Sequence, residues 1–282
     1  MQIVKNSSCE VKVYGKPILI EPVSKRMKIY KLPNLTMIDQ FISKLKRLGK
    51  QRKCDKLIFY VKEAEKHVIK KHMTCLEGKI ESFFNDEDAF IYALFLNPER
   101  HQIHLSEAEM TVLDLIKKRN KGNSNYQLPK DYKMRWAKKE DAPQMAKLYK
   151  TVFKSYPTPM NDSNFIIDMM SSDVYFFIVE KDSEIVSACS ADLLPEFKSA
   201  ELSDCVTYAE HRSKQLLTYQ VAHLIPRIKE MGINTLFSYS RSVSIGMNLV
   251  NIKHDFQYGG RMIRNSNIAG SMENMNIWYR KL

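Results

Sequence analysis
The chain has 282 residues, enough for two domains of ordinary size or one large one. Its 44% hydrophobic and 27% charged residues give a globular profile, and no apolar run approaches the ~20 residues that would span a bilayer. The net charge of +12 is uneven, with 25 Lys and Arg against 15 Asp and Glu in residues 1–130, and 19 against 17 in residues 131–282. A basic half can signal nucleic acid. Lys62, Lys66, Lys70 and Lys71, however, fall on the outward side of a helical pattern, and a solvated basic face that attracts anionic ligands is the preferred reading. The five cysteines contain no Cys-x-x-Cys pair and meet no His at ligand spacing, so no metal site is expected. An odd cysteine count, with no signal pattern in MQIVKNSSCEVKVYG, points to a reducing, cytoplasmic setting.

In chain order, residues 1–33 alternate apolar and polar with turns at Gly15–Pro17 and Leu32–Pro33, which predicts two or three short strands. A helix follows from Met37 to Leu48, with Ile38, Phe41, Ile42 and Leu45 on one face. KLIFYV (56–61) reads as a buried strand, 64–72 as helix, 74–84 as extended, and AFIYALFL (89–96) as a strongly apolar strand. A helical pattern over 108–116 gives way to polar, turn-rich text that marks a linker. The predicted division is an N-terminal α/β domain over 1–120, a linker over 121–131 and a second domain over 132–282. That second part reads β-α-α-β-β-β-α-β-α-β-β, with its long helix expected to continue to about Met231 and Pro226 expected to kink it or break its last turn. The front part closes in a similar order, which suggests an internal duplication with a degenerate first copy.

The stretch SAELSDCVTYAEHRSKQLLTYQ (199–220) runs from a strand through a short turn into a helix. A helix start offers unpaired backbone N–H groups and the positive end of its dipole, so Arg212, Ser213 and Lys214 stand at a natural anion site. Period-two geometry places Glu201 and Asp204 on opposite faces of the strand.

This order, with AELSDCVT, the HRSK turn, SYSRSVSIGMN and FQYGGRMIRNSNIAGSMENMNIW, resembles the GNAT superfamily of acetyl-CoA-dependent N-acetyltransferases. The last ninety or so residues look most like the β-lysine N-acetyltransferases. The resemblance implies an α/β (α+β) fold with a mixed, mostly antiparallel central sheet flanked by helices, behind a smaller GNAT-like N-terminal domain. It implies acetyl-CoA as cosubstrate and β-lysine as the small-molecule amine, with no metal and no membrane, and it allows for a homodimer. Glu201 is implied as the base for the amine. Cys205, Val206 and Thr207 would pair through their backbone with the pantetheine arm. Arg212, Ser213, Lys214, Gln215, Leu216 and Leu217 would form the diphosphate turn, with Asn248 near the cofactor. Asp204 is a candidate for the substrate ammonium, and Arg241, Arg261 or Arg264 for its carboxylate. The chain departs from the superfamily pattern at Gln215 and Leu217, where small residues are usual, and at Asn251, which stands in place of a tyrosine. Other readings are a GNAT enzyme for another amine, an acetyl-CoA-binding module without turnover, and a nucleic-acid binder using residues 1–130.

Overall fold
The alternating and helical patterns settle into strands and helices close to the predicted ones in this computed structural model, which describes residues 8–102, 105–118 and 127–282. The predicted linker over 121–131 falls largely outside the described residues. The front half contains β1 (Cys9–Val13), β2 (Lys16–Glu21), β3 (Arg26–Ile29), α1 (Ile38–Gln51), β4 (Lys56–Val61), α2 (Lys66–Ile69), β5 (Cys75–Phe84), β6 (Glu87–Phe95) and α3 (Glu107–Lys117). The back half contains β7 (Lys133–Trp136), α4 (Ala142–Val152), α5 (Ser163–Met170), β8 (Val174–Lys181), β9 (Glu184–Leu194), β10 (Ser199–Thr207) and α6 (Leu216–Glu230). It closes with β11 (Thr235–Arg241), α7 (Ile245–Lys253), β12 (Gln257–Ile268) and β13 (Ser271–Lys281).

All these strands join one sheet, in the order β1-β2-β3-β4-β6-β5-β12-β13-β11-β10-β9-β8-β7. In the front half β3 runs parallel to β4 and its other pairs are antiparallel. In the back half β10 runs parallel to β11 and the rest are antiparallel. The front order β1-β2-β3-β4-β6-β5 therefore repeats the back order β8-β9-β10-β11-β13-β12, strand for strand and direction for direction. The two runs meet at their equivalent edge strands, β5 and β12, which pair antiparallel at Gly78 and Gly260. The back half adds β7, α4 and α5 before its repeat begins.

Packing follows the apolar patterns. Ile38, Phe41, Ile42 and Leu45 on α1 cover β2 to β4 in the front core. A further cluster spans the junction, with Ile58, Tyr60, Ile80 and Phe83 against Phe237, Met262 and Ile277. Each such side chain contributes about 1.5–3 kcal/mol when fully buried. Helix α3 starts at Ser106 with a capping box to Glu109. Its Val112 and Ile116 pack into the back-half core beside Val221, Leu236 and Trp278. Helix α6 runs through Pro226 to Glu230, close to the expected end at about Met231, with the last turn unbroken and the proline on its exposed side.

The junction is built for close approach. A Cβ on Gly259 would lie 2.2 Å from the Lys79 carbonyl oxygen, and one on Gly260 would lie 2.3 Å from that of Glu77. Backbone cannot give way as a flexible side chain can. Gly259→Ala is expected to lower unfolding free energy by about 3 kcal/mol or more in urea titrations, whereas Gly246→Ala, in helix α7 with open space around it, should leave it unchanged or raise it by up to about 1 kcal/mol.

Candidate active site
Strand β10 builds the site by leaving its neighbours. It pairs with β11 only from Ser199 to Glu201, and the two strands splay beyond that point. On the other side its register with β9 shifts between Ser203 and Val206, where Asp204 takes a left-handed φ of 47°. The splay and the bulge open a cleft of ≈ 690 Å³ between β10, β11, α6, the α4–α5 loop and the front half. Leu202 to Thr207 line it; the Leu202 carbonyl still accepts from Ser238 Oγ of β11 at 2.9 Å, and beyond Leu202 the strand has no ladder pairing with β11.

At one end lies the predicted anion turn. Arg212, Ser213, Gln215, Leu216 and Leu217 line the cleft. The first N–H groups of α6 have no intrahelical acceptor, and no side chain caps them. Arg212 donates from Nε to the Thr207 carbonyl at 3.3 Å, which tethers it beside the strand end. Lys214 points elsewhere: its Nζ donates to the Glu210 carbonyl at 3.1 Å and sits 5.8 Å from the Tyr132 ring. Gln215 has φ 58° and Ser213 φ 62°, both in the left-handed region. The position where glycine is usual thus holds a glutamine in a conformation that favours glycine. A helix start of this kind fits a phosphate-bearing ligand through backbone N–H groups.

At the other end three carboxylates meet. Asp192 pairs directly across from Glu201 in the β9–β10 register, an arrangement of like charges that a sheet ordinarily avoids. The bulge corrects the period-two expectation, because it turns Asp204 into the same cleft as Glu201. Asp204 accepts hydrogen bonds from Tyr156 Oη at 3.0 Å and Ser190 Oγ at 3.2 Å, and Ser190 also donates to Asp192 at 2.6 Å. Burial pushes the Glu201 carboxyl up, and Lys28 and Arg26 offset part of that rise. Burial and the neighbouring carboxylates push Asp192 up as well. Asp204 also rises, through burial first, with its Tyr156 and Ser190 bonds pulling the other way.

The front half closes this end. Arg26 and Lys28 of β3 and Glu21 of β2 line the cleft, all three buried. Burial alone would raise Glu21, but the two cations beside it overcome that and hold its carboxyl at about 2. Sequence reading missed Tyr156, Asp192, Glu21, Arg26 and Lys28. The register that sets Asp192 against Glu201 is the one local signal that could have pointed to any of them.

The other candidates lie less directly. Arg241 lines the cleft but makes a two-pronged pair with Glu273, at 2.8 and 2.6 Å. Arg261 lies outside the cleft lining, donating to Asn276 Oδ1 at 2.9 Å and 3.7 Å from Glu109. Arg264 donates to the Glu99 carbonyl at 3.1 Å. Asn248 is fully buried and spends both ends of its amide inside the protein, on the Arg241 and Ser244 carbonyls and on Asn276 and Trp278. Burial raises the Cys205 thiol well above its ordinary value, so it is a poor nucleophile. Tyr239 reaches the cleft and shares a hydrogen bond of 2.6 Å with Tyr60. Among the described residues no group of three or more His, Cys, Asp or Glu is placed to hold a metal, and no helix is long and apolar enough to cross a membrane.

Two outcomes follow from this geometry. Gln215→Gly should raise unfolding free energy by about 1 kcal/mol, read by thermal melting, because the left-handed φ no longer opposes a side chain. Asp192→Asn should melt about 2–4 °C above the parent at pH 8, the size of ~1 kcal/mol in a chain of this length. The sign follows from a carboxyl raised in the folded state. Its penalty is absent below the unfolded value and grows as pH rises towards the folded one, so the advantage of Asp192→Asn should fade on acidification.

No family model matches the chain. It is 29% identical to N-acetyltransferase YodP of Bacillus subtilis over 259 residues, 92% of this chain and 93% of that protein. It is 27% identical to Beta-lysine N(6)-acetyltransferase of Methanococcus maripaludis over 96% of this chain and 97% of that one. A protein of the same name from Methanosarcina mazei is 28% identical over 86% of this chain and 97% of its own length. Among solved structures, the ribosomal-protein-S18-alanine N-acetyltransferase of Escherichia coli overlays 53% of this chain and 93% of its own, with TM-score 0.46 and 11% identity. The acetyltransferase yncA of Salmonella typhimurium overlays 54% and 94%, with TM-score 0.47 and 12% identity. Both halves of the chain take part in the sequence match to these proteins named as N-acetyltransferases, and its back half has the splayed strand pair and helix start expected from the GNAT resemblance.

Proposed function
We propose that the enzyme transfers the acetyl group of acetyl-CoA to the side-chain amine of β-lysine, giving N6-acetyl-β-lysine. The observation that carries this reading is one cleft with an uncapped helix start at one end and a carboxylate beside the strand splay at the other. The two relatives named for β-lysine, matched over 86% and 96% of the chain, support this acceptor.

Acetyl-CoA supplies the acetyl group as a thioester. In this reading the backbone of Cys205, Val206 and Thr207 on the side away from β9 pairs with its pantetheine arm. Arg212 and the N–H groups from Ser213 to Leu217 hold the diphosphate, with Leu216 and Leu217 packing alongside. An aliphatic ammonium has pKa ≈ 10.4 and must lose a proton before it attacks. Glu201 takes that proton, directly or through one water. Its buried surroundings favour the protonated form, so it accepts a proton more readily than an exposed carboxylate would. Asp204, held by Tyr156 and Ser190, faces the substrate ammonium from the bulge. The same reading takes the enzyme as cytoplasmic and allows for a homodimer. It divides the chain into an N-terminal α/β domain over 1–120, a linker over 121–131 and a catalytic domain over 132–282.

Thiol release from acetyl-CoA across β-lysine, lysine, ornithine and plain diamines tests the acceptor; kcat/KM should be highest for β-lysine, and a higher value for any other amine displaces it. Glu201→Gln should lower kcat at pH 7 by about 10²–10⁴-fold. The deficit should shrink near pH 10, where the amine is free without help. Because the Glu201 carboxyl is raised, the acid limb of the parent's pH profile should lie above the ordinary carboxylate range and be missing in Glu201→Gln.

A further inference from the structure
The acceptor end of the cleft has two walls of opposite sign. One, from the back half, carries Asp192, Glu201 and Asp204; the other, from the front half, carries Arg26 and Lys28 over Glu21. Arg26 and Lys28 are only 5% and 6% exposed, and between them they share the single carboxylate of Glu21.

Their donors are not used up. Arg26 gives Nε to Glu21, and Nη1 to the Asn265 carbonyl at 2.9 Å and Ser266 Oγ at 2.8 Å; its Nη2 has no hydrogen-bond partner among the described residues. Lys28 Nζ lies 3.4 Å from Glu21 Oε1 and 6.0 Å from the centre of the Tyr239 ring, and makes no other ion pair among the described residues. Neither cation comes within ion-pair distance of Glu201, yet both act on its charge. Both cations and Glu201 border the same cleft without pairing with one another, which leaves a place between them for a small molecule. A surplus buried cation is unfavourable unless an anion meets it. The anion turn at Arg212 lies beyond the far end of β10, six residues or about 20 Å along the strand from Glu201, so one phosphate group cannot serve both places.

We propose that Arg26 and Lys28 of the front half receive a carboxylate on the acceptor, at the opposite end of that molecule from the amine that is acetylated. The acceptor then lies across the cleft, with its ammonium groups towards the back-half carboxylates and its carboxylate on β3. The front half is thus the wall that selects an amino acid over a plain amine. This rests on the acetyltransferase reading but not on β-lysine as the particular acceptor.

The test uses the full chain with matched pairs of acceptors, each diamino acid beside its carboxamide, and 1,5-diaminopentane as the amine with no acid. The parent should favour the acid over the amide by about tenfold or more in kcat/KM, the size of one lost charge-assisted contact. Lys28→Met should bring that ratio towards one, with the loss falling on the KM of the acid, and Lys28→Arg should restore it. Circular dichroism and a melting curve establish that Lys28→Met is folded. The proposal is overturned if the parent uses acid and amide equally, or if the ratio survives in Lys28→Met. The identity of the fastest pair is a separate result: if lysine or ornithine outruns β-lysine, the acceptor assignment falls while the acid-to-amide ratio still decides this one.

Discussion

Three buried cations of the front half hold the part of β12 that its own sheet neighbour releases. The β12–β13 register shifts between Met262 and Ser266, which leaves the carbonyls of Ile263, Arg264 and Asn265 without ladder partners. Lys56 donates to the first at 2.8 Å, Arg100 to the second at 2.8 and 3.0 Å, and Arg26 to the third at 2.9 Å. A buried carbonyl without a partner costs about 1–3 kcal/mol, so the bulge persists because the other half of the chain satisfies it. The cations need counter-charges in turn. Glu77 pairs with Lys56 and also accepts from the Ile263 N–H at 2.7 Å, while Glu21 pairs with Arg26. Burial still draws Lys56 down to about 8 against the pull of Glu77. The glycine seam between β5 and β12 brings these groups within reach of one another.

The same network fixes the floor of the active site. Arg26 belongs both to the junction and to the cleft, and Lys28 sits two residues along the same short strand. A shift of the front half against β12 would move the acceptor wall, so the rigidity of the seam is part of substrate recognition. The opposite wall works against stability. Glu201, Asp192 and Asp204 are held in surroundings that disfavour their charge, and Gln215 is held at a left-handed φ. Such strained positions persist only where the surrounding structure determines them.

Much of this was legible in the sequence, because it depends on local pattern. The apolar face of α1, the all-buried β4 and the strand-turn-helix of 199–220 follow from periodicity and turn chemistry. What was not legible is what depends on register or on distant contacts. Asp204 faces the cleft because a bulge breaks the period of two, and nothing in LSDCV announces a bulge. Asn248 looked like a cofactor contact but pins α7 to β13. Arg261 looked like a carboxylate binder but is turned towards Asn276. Arg26 and Lys28 reach the site across more than 170 residues of chain, in a stretch where they read as ordinary strand charges.

The repeated strand order has a consequence for how such a site can arise at all. Lys28 is the third residue of the parallel β3–β4 pairing, and Glu201 is the third residue of the parallel β10–β11 pairing. They occupy the same place in two copies of one architecture, and their side chains border one cleft. Two identical chains associated through the β5–β12 edge would carry the same residue at both places, setting acid against acid or base against base. Joining the copies in one polypeptide removes that symmetry. Each copy is then free to change alone, so one can keep the carboxylate while the other supplies a cation of opposite charge for it to face.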